Sequence, residues 1–252
     1  MPALLLRKAI ASSTPSQGVD EITCKIARTR RERTAAFRLV YQAYIRAGLI
    51  EPNPRQLRVT PYQLQPGCDV FLATLRAEVI STVSLISDGP LGLPMESIYG
   101  DEVAQLRESG VRFGEVSALA DRRQQLSRTL PVFVKLMRLM VQNAHRHGID
   151  RLLVAVHPRH ARFYQRFLSF EQLAEERSYP LVCNNPAVAL CLDFARIARE
   201  RPPNYELFFG ERLPDEHVLP RPMSAADAEH FRAAAAFGTQ FTLMGPAEPK
   251  TS

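Results

Sequence analysis

The stretch from Arg151 to Glu171, RLLVAVHPRHARFYQRFLSFE, constrains the fold more than any other part of the chain. Leu152–Val156 is an unbroken apolar run, as expected of a strand covered on both faces. His157-Pro158 ends it, because proline has no N–H to give to a ladder. Arg159–Phe167 then has helical spacing, with Phe163 and Phe167 one turn apart, as are Arg162 and Arg166. Ser169-Phe170-Glu171 starts another strand. This segment therefore reads as a buried strand, a short tyrosine-bearing helix and an aromatic-led return strand.

The flanking segments extend the pattern. Ile22–Ala27 alternates as a strand, and Phe37, Val40, Tyr41, Tyr44 and Ile45 form one stripe of a helix over Arg31–Gly48. Pro52, Pro54, Pro61 and Pro66 break up a loop of about 20 residues, a length that in a compact domain usually serves function. Asp69–Leu75 and Glu78–Ser87 read as a hairpin, Pro94–Gly110 as a helix and Val111–Leu119 as a strand. In that strand Gly114 marks a bulge or a close backbone approach. Leu130–His147 is a strongly apolar helix, with Ser127 as candidate cap and Pro131 in its first turn. Ser178–Cys183 and Val188–Ala195 complete the strands. The order predicts an α/β (α+β) fold, a mixed, mostly antiparallel sheet with helices on both faces. Three parts are expected: a flexible arm over 1–21, one domain over 22–198, and a proline-punctuated extension over 199–252 packed on it, with a helix near Ala225–Ala236.

Composition excludes several classes. At 46% hydrophobic and 23% charged the chain is globular rather than disordered. No apolar run approaches the roughly 20 residues of a membrane span, and no secretory leader is visible, so a cytoplasmic protein without membrane insertion is expected. Cys24, Cys68, Cys183 and Cys191 make no CxxC pair and are expected as buried, reduced thiols. The histidines lack carboxylate or thiol neighbours at ligand spacing, so no metal is expected. A formal charge of +6 points to an acidic partner, but the basic residues are dispersed, which argues against nucleic acid.

The residues that stand out chemically are few. Glu115 lies mid-strand in an apolar segment, where a carboxylate needs a partner or a raised pKa; it is a candidate general base or else a salt-bridged strand residue. The loop DRRQQLSR (Asp121–Arg128) leads into the long helix. An anion there would meet the helix N-terminus and Arg122, Arg123 and Arg128. Tyr164 is a candidate proton donor to a leaving group, or half of an aromatic face with Phe163. Arg159, Arg162 and Arg166 share one helix face, and Lys135 and Arg138 lie three apart on another. Together they form either solvated faces or a docking surface for an acidic protein.

Over roughly Ile22–Ala195 the chain resembles the bacterial N-acyl amino acid synthases, long-chain N-acyl tyrosine synthases among them. These are acetyltransferase-like (GNAT) proteins related to acyl-homoserine-lactone synthases. The resemblance rests on FRLVYQAYIRAGLI (Phe37–Ile50), GLPMESIYGDEVAQLRESG (Gly92–Gly110), GEVSALA (Gly114–Ala120) and HPRHARFYQRFLSFE (His157–Glu171). It implies transfer of a fatty acyl group from the thioester of acyl carrier protein to the amine of an amino acid, with no permanently bound cofactor. Glu115 matches the strand carboxylate placed to assist amine deprotonation in the lactone synthases. Those enzymes follow it closely with Ser-Arg, whereas here Val116-Ser117-Ala118 follows, which disfavours a lactone product. DRRQQLSR also lacks the glycines of the loop that grips coenzyme A in ordinary acetyltransferases, which fits a carrier-protein donor better, though long-chain acyl-CoA remains open.

The implied mechanism is direct attack without an acyl-enzyme. Backbone N–H groups of Val116, Ser117 and Ala118 would form the oxyanion hole, Tyr164 would protonate the thiolate, and Arg122, Arg123 and Arg128 would hold the phosphopantetheine phosphate. Phe113, Phe133, Met137 and Met140 would line the acyl chain, Arg38, Arg76 or Arg112 would bind the acceptor carboxylate, and Lys135, Arg138, Arg159, Arg162 and Arg166 would dock the carrier protein. The competing readings are a transferase using acetyl-CoA on a small amine and a non-catalytic acyl-binding module.

Overall fold

A computed structural model of the chain describes residues 22–123 and 126–237, without the side chains of 126–129 and 237. Its elements are β1 (Thr23–Ile26), α1 (Arg30–Arg46), β2 (Cys68–Leu75), β3 (Glu78–Ser87), α2 (Glu96–Glu108), β4 (Phe113–Asp121) and α3 (Leu126–Arg146). There follow β5 (Arg151–Val156), α4 (Pro158–Leu168), β6 (Glu171–Tyr179), β7 (Asn185–Asp193), α5 (Phe194–Glu200), α6 (Asp215–Val218) and α7 (Ala225–Phe237). The strands form one seven-stranded sheet in the order β1-β2-β3-β4-β5-β7-β6. The β4–β5 pair is parallel and every other pair is antiparallel, which is the mixed sheet the sequence predicts.

Alternation along the strands sends side chains to two separate cores. Phe71, Leu85, Val116, Leu152 and Val154 pack with Met137, Met140 and Val141 of α3 and Tyr164 and Leu168 of α4. Their neighbours Val70, Leu72, Ile86, Phe113 and Leu153 pack on the opposite face with Phe37 of α1, Tyr99 and Val103 of α2 and Phe231 of α7. The long proline-rich loop after α1 is pinned to the second face. Gln63 forms a capping box with Thr60 and donates to Ser84 Oγ at 3.0 Å, and both Gln63 and Ser84 are buried.

The segment beyond α5 is held on by polar groups as well as apolar ones. The Gln142 amide of α3 donates to the Phe208 and Glu211 carbonyls at 2.9 and 2.8 Å and accepts from the Leu213 N–H at 2.9 Å. Asn143 donates to the Val218 carbonyl at 2.8 Å, and the Asp69 carboxylate accepts the Arg221 N–H at 2.7 Å. Farther on, Arg33 donates to the Arg221 carbonyl at 2.7 Å. Phe231 closes the run edge-on against Phe37, with ring centroids 5.1 Å apart.

Four expectations need correction. Ser178–Cys183 is not a strand of its own: β6 already runs to Tyr179, Pro180–Val182 is a 3-10 turn, and Cys183 and Asn184 both take positive φ. Pro180 has no N–H to extend the ladder, and two left-handed residues reverse the chain into β7. Cys183 is consequently exposed rather than buried, while Cys68 is buried and Cys24 and Cys191 are partly so; all four are free thiols. The last strand stops at Asp193, whose carboxylate accepts the Arg196 N–H at 3.0 Å and caps α5, a helix the continuous apolar run concealed. Lastly, α3 begins at Leu126, so Pro131 lies inside the helix rather than in its first turn. The arm over 1–21, the Gln124-Gln125 pair, the Ser127 capping side chain and 238–252 lie outside the described residues.

Phe231 and Phe37 are 0% and 1% exposed, so Phe231→Ala leaves a cavity between α7 and α1. It is expected to lower stability by about 3 kcal/mol or more in chemical denaturation, whereas a loosely attached α7 would give a change near zero.

Candidate active site

The backbone of β4 is where the sheet opens. The Asp88 N–H donates to the Phe113 carbonyl at 3.1 Å, which sets the phase of the β3–β4 ladder. Phe113, Glu115 and Ser117 therefore turn their peptide groups to β3, and Gly114 and Val116 turn theirs to β5. Pairing with β5 ends at Glu115↔Leu153, while β5 stays paired with β7 as far as Val156↔Val188. Beyond Glu115 the two strands part. On the β3 side the register shifts between Thr82 and Ser84, opposite Ala118, which has φ +52°. The bulge thus lies at Ala118, and Gly114 is instead a close approach: a Cβ there would stand 3.0 Å from the Ile86 carbonyl oxygen.

Glu115 sits at the fork, 3% exposed. Its Oε2 accepts the Met95 N–H at 2.8 Å, at the head of α2, where unpaired helix N–H groups favour an anion. Burial still dominates: the carboxyl is pushed up from 4.5 to about 8, the Met95 hydrogen bond opposing the rise and the Glu96 charge adding to it.

Four residues that the sequence reading passed over share this face of the sheet. Tyr44 of α1 packs beside Ala118 and Ala120 at the parted end of β4. Tyr62 comes from the pinned proline-rich loop, and Tyr179 ends β6. Burial raises all three phenols, and the Glu115 charge raises each of them further. Arg58, 8% exposed, holds the Phe37 carbonyl with its N–H at 3.1 Å and the Leu181 carbonyl with its guanidinium at 3.1 Å. Burial lowers its pKa, and Tyr44 and Tyr179 feel its charge as well as that of Glu115. The available signal was the length of the loop carrying Arg58 and Tyr62. Tyr44 read as a core position, and Tyr179 was hidden by the misplaced strand boundary.

Across the sheet, Tyr164 is 6% exposed and packs edge-on against Phe170 at 5.6 Å. Burial raises its phenol, and Tyr44 adds to the rise. Phe133, Met137 and Met140 share the face of Tyr164, but Phe113 lies on the other, so the four proposed acyl-chain residues do not line one space.

The predicted cations separate. Arg122 pairs with Glu78, both exposed, and Arg123 pairs with Asp121 at 2.6 Å; the Arg128 side chain is outside the described residues. Arg138 is tied to Glu211 at 2.7 Å. Lys135, Arg159, Arg162 and Arg166 are exposed and, among the described residues, have no carboxylate partner; Arg159 donates to His160 Nε2 at 3.0 Å. Arg38 is exposed on α1, and Arg76 is exposed in the β2–β3 turn with φ +50°. Arg112 reaches the His147 carbonyl at 2.6 Å at the other end of β4. A cavity of about 330 Å3 lies at that end too, bordered by Arg112, Phe113, Asp69 and His147, away from the fork.

Residues 35–193, from α1 to the end of β7, match the family model described as N-acyl amino acid synthase FeeM. The chain belongs to the FeeM family of N-acyl amino acid synthases. Family membership makes it an N-acyltransferase. The solved structure of FeeM, an N-acyl amino acid synthase from uncultured soil microbes, superposes with a TM-score of 0.64 at 25% identity, covering 76% of this chain and 99% of FeeM. The acyl-homoserine-lactone synthase LasI shares the fold at TM-score 0.57 and 14% identity, over 78% of this chain and 99% of LasI. TofI, solved in a ternary complex with an inhibitor and MTA, does so at 0.51 and 13% identity, over 69% of this chain and 91% of its own. No curated protein matches the chain in sequence. In this family member Glu115, the fork and the tyrosines Tyr44 and Tyr179 all fall inside the matched region.

The folded enzyme holds the Glu115 proton more tightly than the unfolded chain does. Stability from this group is therefore full below about 4.5 and is lost as pH rises to about 8, at up to ~1.4 kcal/mol per pH unit. In Glu115→Gln the amide can still accept the Met95 N–H, so the decline should disappear; denaturant unfolding of both proteins across this range measures it, and parallel curves would refute the raised carboxyl.

Proposed function

We propose that this enzyme moves a fatty acyl group from the thioester of acyl carrier protein to the amine of an amino acid, tyrosine being one candidate, with Glu115 as base. The observation that carries the reading is the placement of Glu115: a buried carboxylate, within the family-matched region, where β4 leaves β5. The acceptor approaches from the face of Tyr44, Tyr62 and Tyr179. The pantetheine thioester enters the fork, and its acyl chain lies against Phe133, Met137 and Met140 beneath α3.

The chemistry follows from proton affinities. A free amino acid's ammonium, beside its own carboxylate, holds its proton more tightly than a peptide N-terminus at ~8, and burial brings Glu115 up to about 8, much nearer to it than an ordinary carboxylate would be. Glu115 takes the first proton from the ammonium. The amine attacks, the C–N bond forms, and the backbone N–H of Ala118, at the bulge beyond the last β4–β5 pair, holds the oxyanion, since the Ser117 N–H is turned to β3. As the C–S bond breaks, Tyr164 protonates the thiolate, and the second nitrogen proton restores the phenol. Burial keeps that phenol protonated until then.

The donor side fits a carrier protein. The Arg159, Arg162 and Arg166 row and Lys135 offer exposed cations without carboxylate partners among the described residues. Arg122 and Glu78 form an exposed pair, weak enough for a phosphate to displace, and Arg123 and Arg128 would assist. Such a reaction needs no resident cofactor and belongs in the cytoplasm, where the carrier is. Among the described residues no helix is long and apolar enough to cross a membrane.

With fatty acyl carrier protein and mixed amino acids, mass spectrometry should show N-acyl amino acids, and Glu115→Gln should lower kcat/KM by about 100-fold or more. Saturation by acetyl-CoA with indifference to carrier protein would sink the assignment. Arg159→Glu with Arg166→Glu should raise KM for the acyl carrier protein about tenfold at low salt and leave turnover of a short acyl-pantetheine thioester unchanged; equal losses on both donors would place the row elsewhere than the docking surface.

A further inference from the structure

Arg58 is a buried cation on the acceptor face, and its place in the fold is set from three directions. Its backbone N–H is fixed to the Phe37 carbonyl of α1 at 3.1 Å, and its guanidinium reaches the Leu181 carbonyl at 3.1 Å, in the turn between β6 and β7. Its loop is anchored by Gln63 to Ser84 of β3 at 3.0 Å. The guanidinium is thus carried over the same face as Glu115, with the phenols of Tyr44 and Tyr179 near both charges. Tyr44 is in turn packed against Ala118, at the point where the thioester carbonyl is proposed to sit.

We infer that Arg58 is the binding residue for the acceptor's carboxylate, so that the site takes an α-amino acid as a zwitterion, its amine toward Glu115 and its carboxylate on the guanidinium, with Tyr44, Tyr62 and Tyr179 around its side chain. This deepens, and rests on, the reading of the enzyme as one that acylates an amino acid at the fork.

The physical grounds are complementary charge and low polarity. A carboxylate moved out of water without a cation loses several kcal/mol of hydration. A guanidinium returns part of this through a planar fork of N–H donors that matches two carboxylate oxygens. Exposed cations do so poorly, because water screens them, and Arg38, Arg76 and Arg112 are all exposed. Arg112 is also held at the far end of β4 by the His147 carbonyl and, through its backbone N–H, by Asp150 at 2.8 Å. Glu115 and Arg58 together present a proton acceptor for the amine and a cation for the carboxylate on one face of the sheet, the complement of an amino acid's two ends.

The test compares each amino acid with the amine that lacks its carboxylate: tyrosine with tyramine, and leucine with isopentylamine. Wild type should prefer the acid of whichever pair it accepts by about 100-fold in kcat/KM. Arg58→Met should raise KM for the amino acid by about 10- to 100-fold, leave KM for the acyl donor unchanged, and bring the acid-to-amine preference close to one. Because Arg58 is buried, Arg58→Lys is measured beside it: it keeps the charge and should retain part of the preference. Calorimetric binding of the same probes reads the carboxylate requirement without turnover. An unchanged acid-to-amine ratio in folded Arg58→Met and Arg58→Lys overturns the clamp while acylation itself stands. Carboxylate-dependent binding that Arg58→Met abolishes, in an enzyme that transfers no acyl group, supports the clamp and overturns the reaction. Binding of tyrosine and leucine no better than of their amines in wild type overturns the clamp directly.

Discussion

The structure depends on a ladder that stops. Two parallel strands, β4 and β5, pair over three residues and then part, which leaves peptide groups without strand partners in the middle of a sheet. Such an opening persists only if the rest of the sheet holds its two halves. Here β3 grips β4 beyond the fork through a bulge at Ala118, and β7 grips β5 along its whole length. The same arrangement strands Glu115 in the core, where one hydrogen bond from the head of α2 fails to compensate for lost hydration and the carboxyl retains its proton to near-neutral pH.

The second organising element is a loop. Proline removes donors from the segment between α1 and β2 and prevents it from becoming helix or strand. It is ordered instead by side chains: Gln63 and Thr60 cap each other and Gln63 binds Ser84. This suspends Arg58 and Tyr62 over the face of the sheet that carries Glu115. The segment beyond α5 has an analogous dependence on single amides. Gln142 alone makes three bonds to it, and Asp69 and Asn143 receive the chain as it crosses the end of the sheet toward Phe231 and Phe37. One polypeptide face therefore combines rigid strands with loops held by a few polar contacts, the usual way a scaffold positions a site.

Legibility in the sequence differed with the physical origin of each feature. Strands such as Leu152–Val156 and the α3 stripe were readable because burial imposes periodicity. Glu115 was readable because a carboxylate in an apolar run is an exception to that periodicity. Boundaries set by turns were not: Cys183 and Asn184 take left-handed conformations that no local pattern announces, and Asp193 caps a helix inside what reads as strand. The cluster of Tyr44, Arg58, Tyr62 and Tyr179 was also illegible, because these residues are far apart in the chain and each has an ordinary local explanation.

By itself the sequence determined the order of elements from β1 to α4, the two-faced sheet, the family and the strand that carries Glu115, since all of these are written in local periodicity and short motifs. Tertiary structure alone decided which residues keep that carboxylate company. It placed Phe113 on the opposite face from Met137, tied Arg138 to Glu211 and Arg123 to Asp121, and brought Arg58 into the interior. The reason is that a charge's environment depends on what is near in space and on how much water is excluded there, and neither quantity is a property of a stretch of chain.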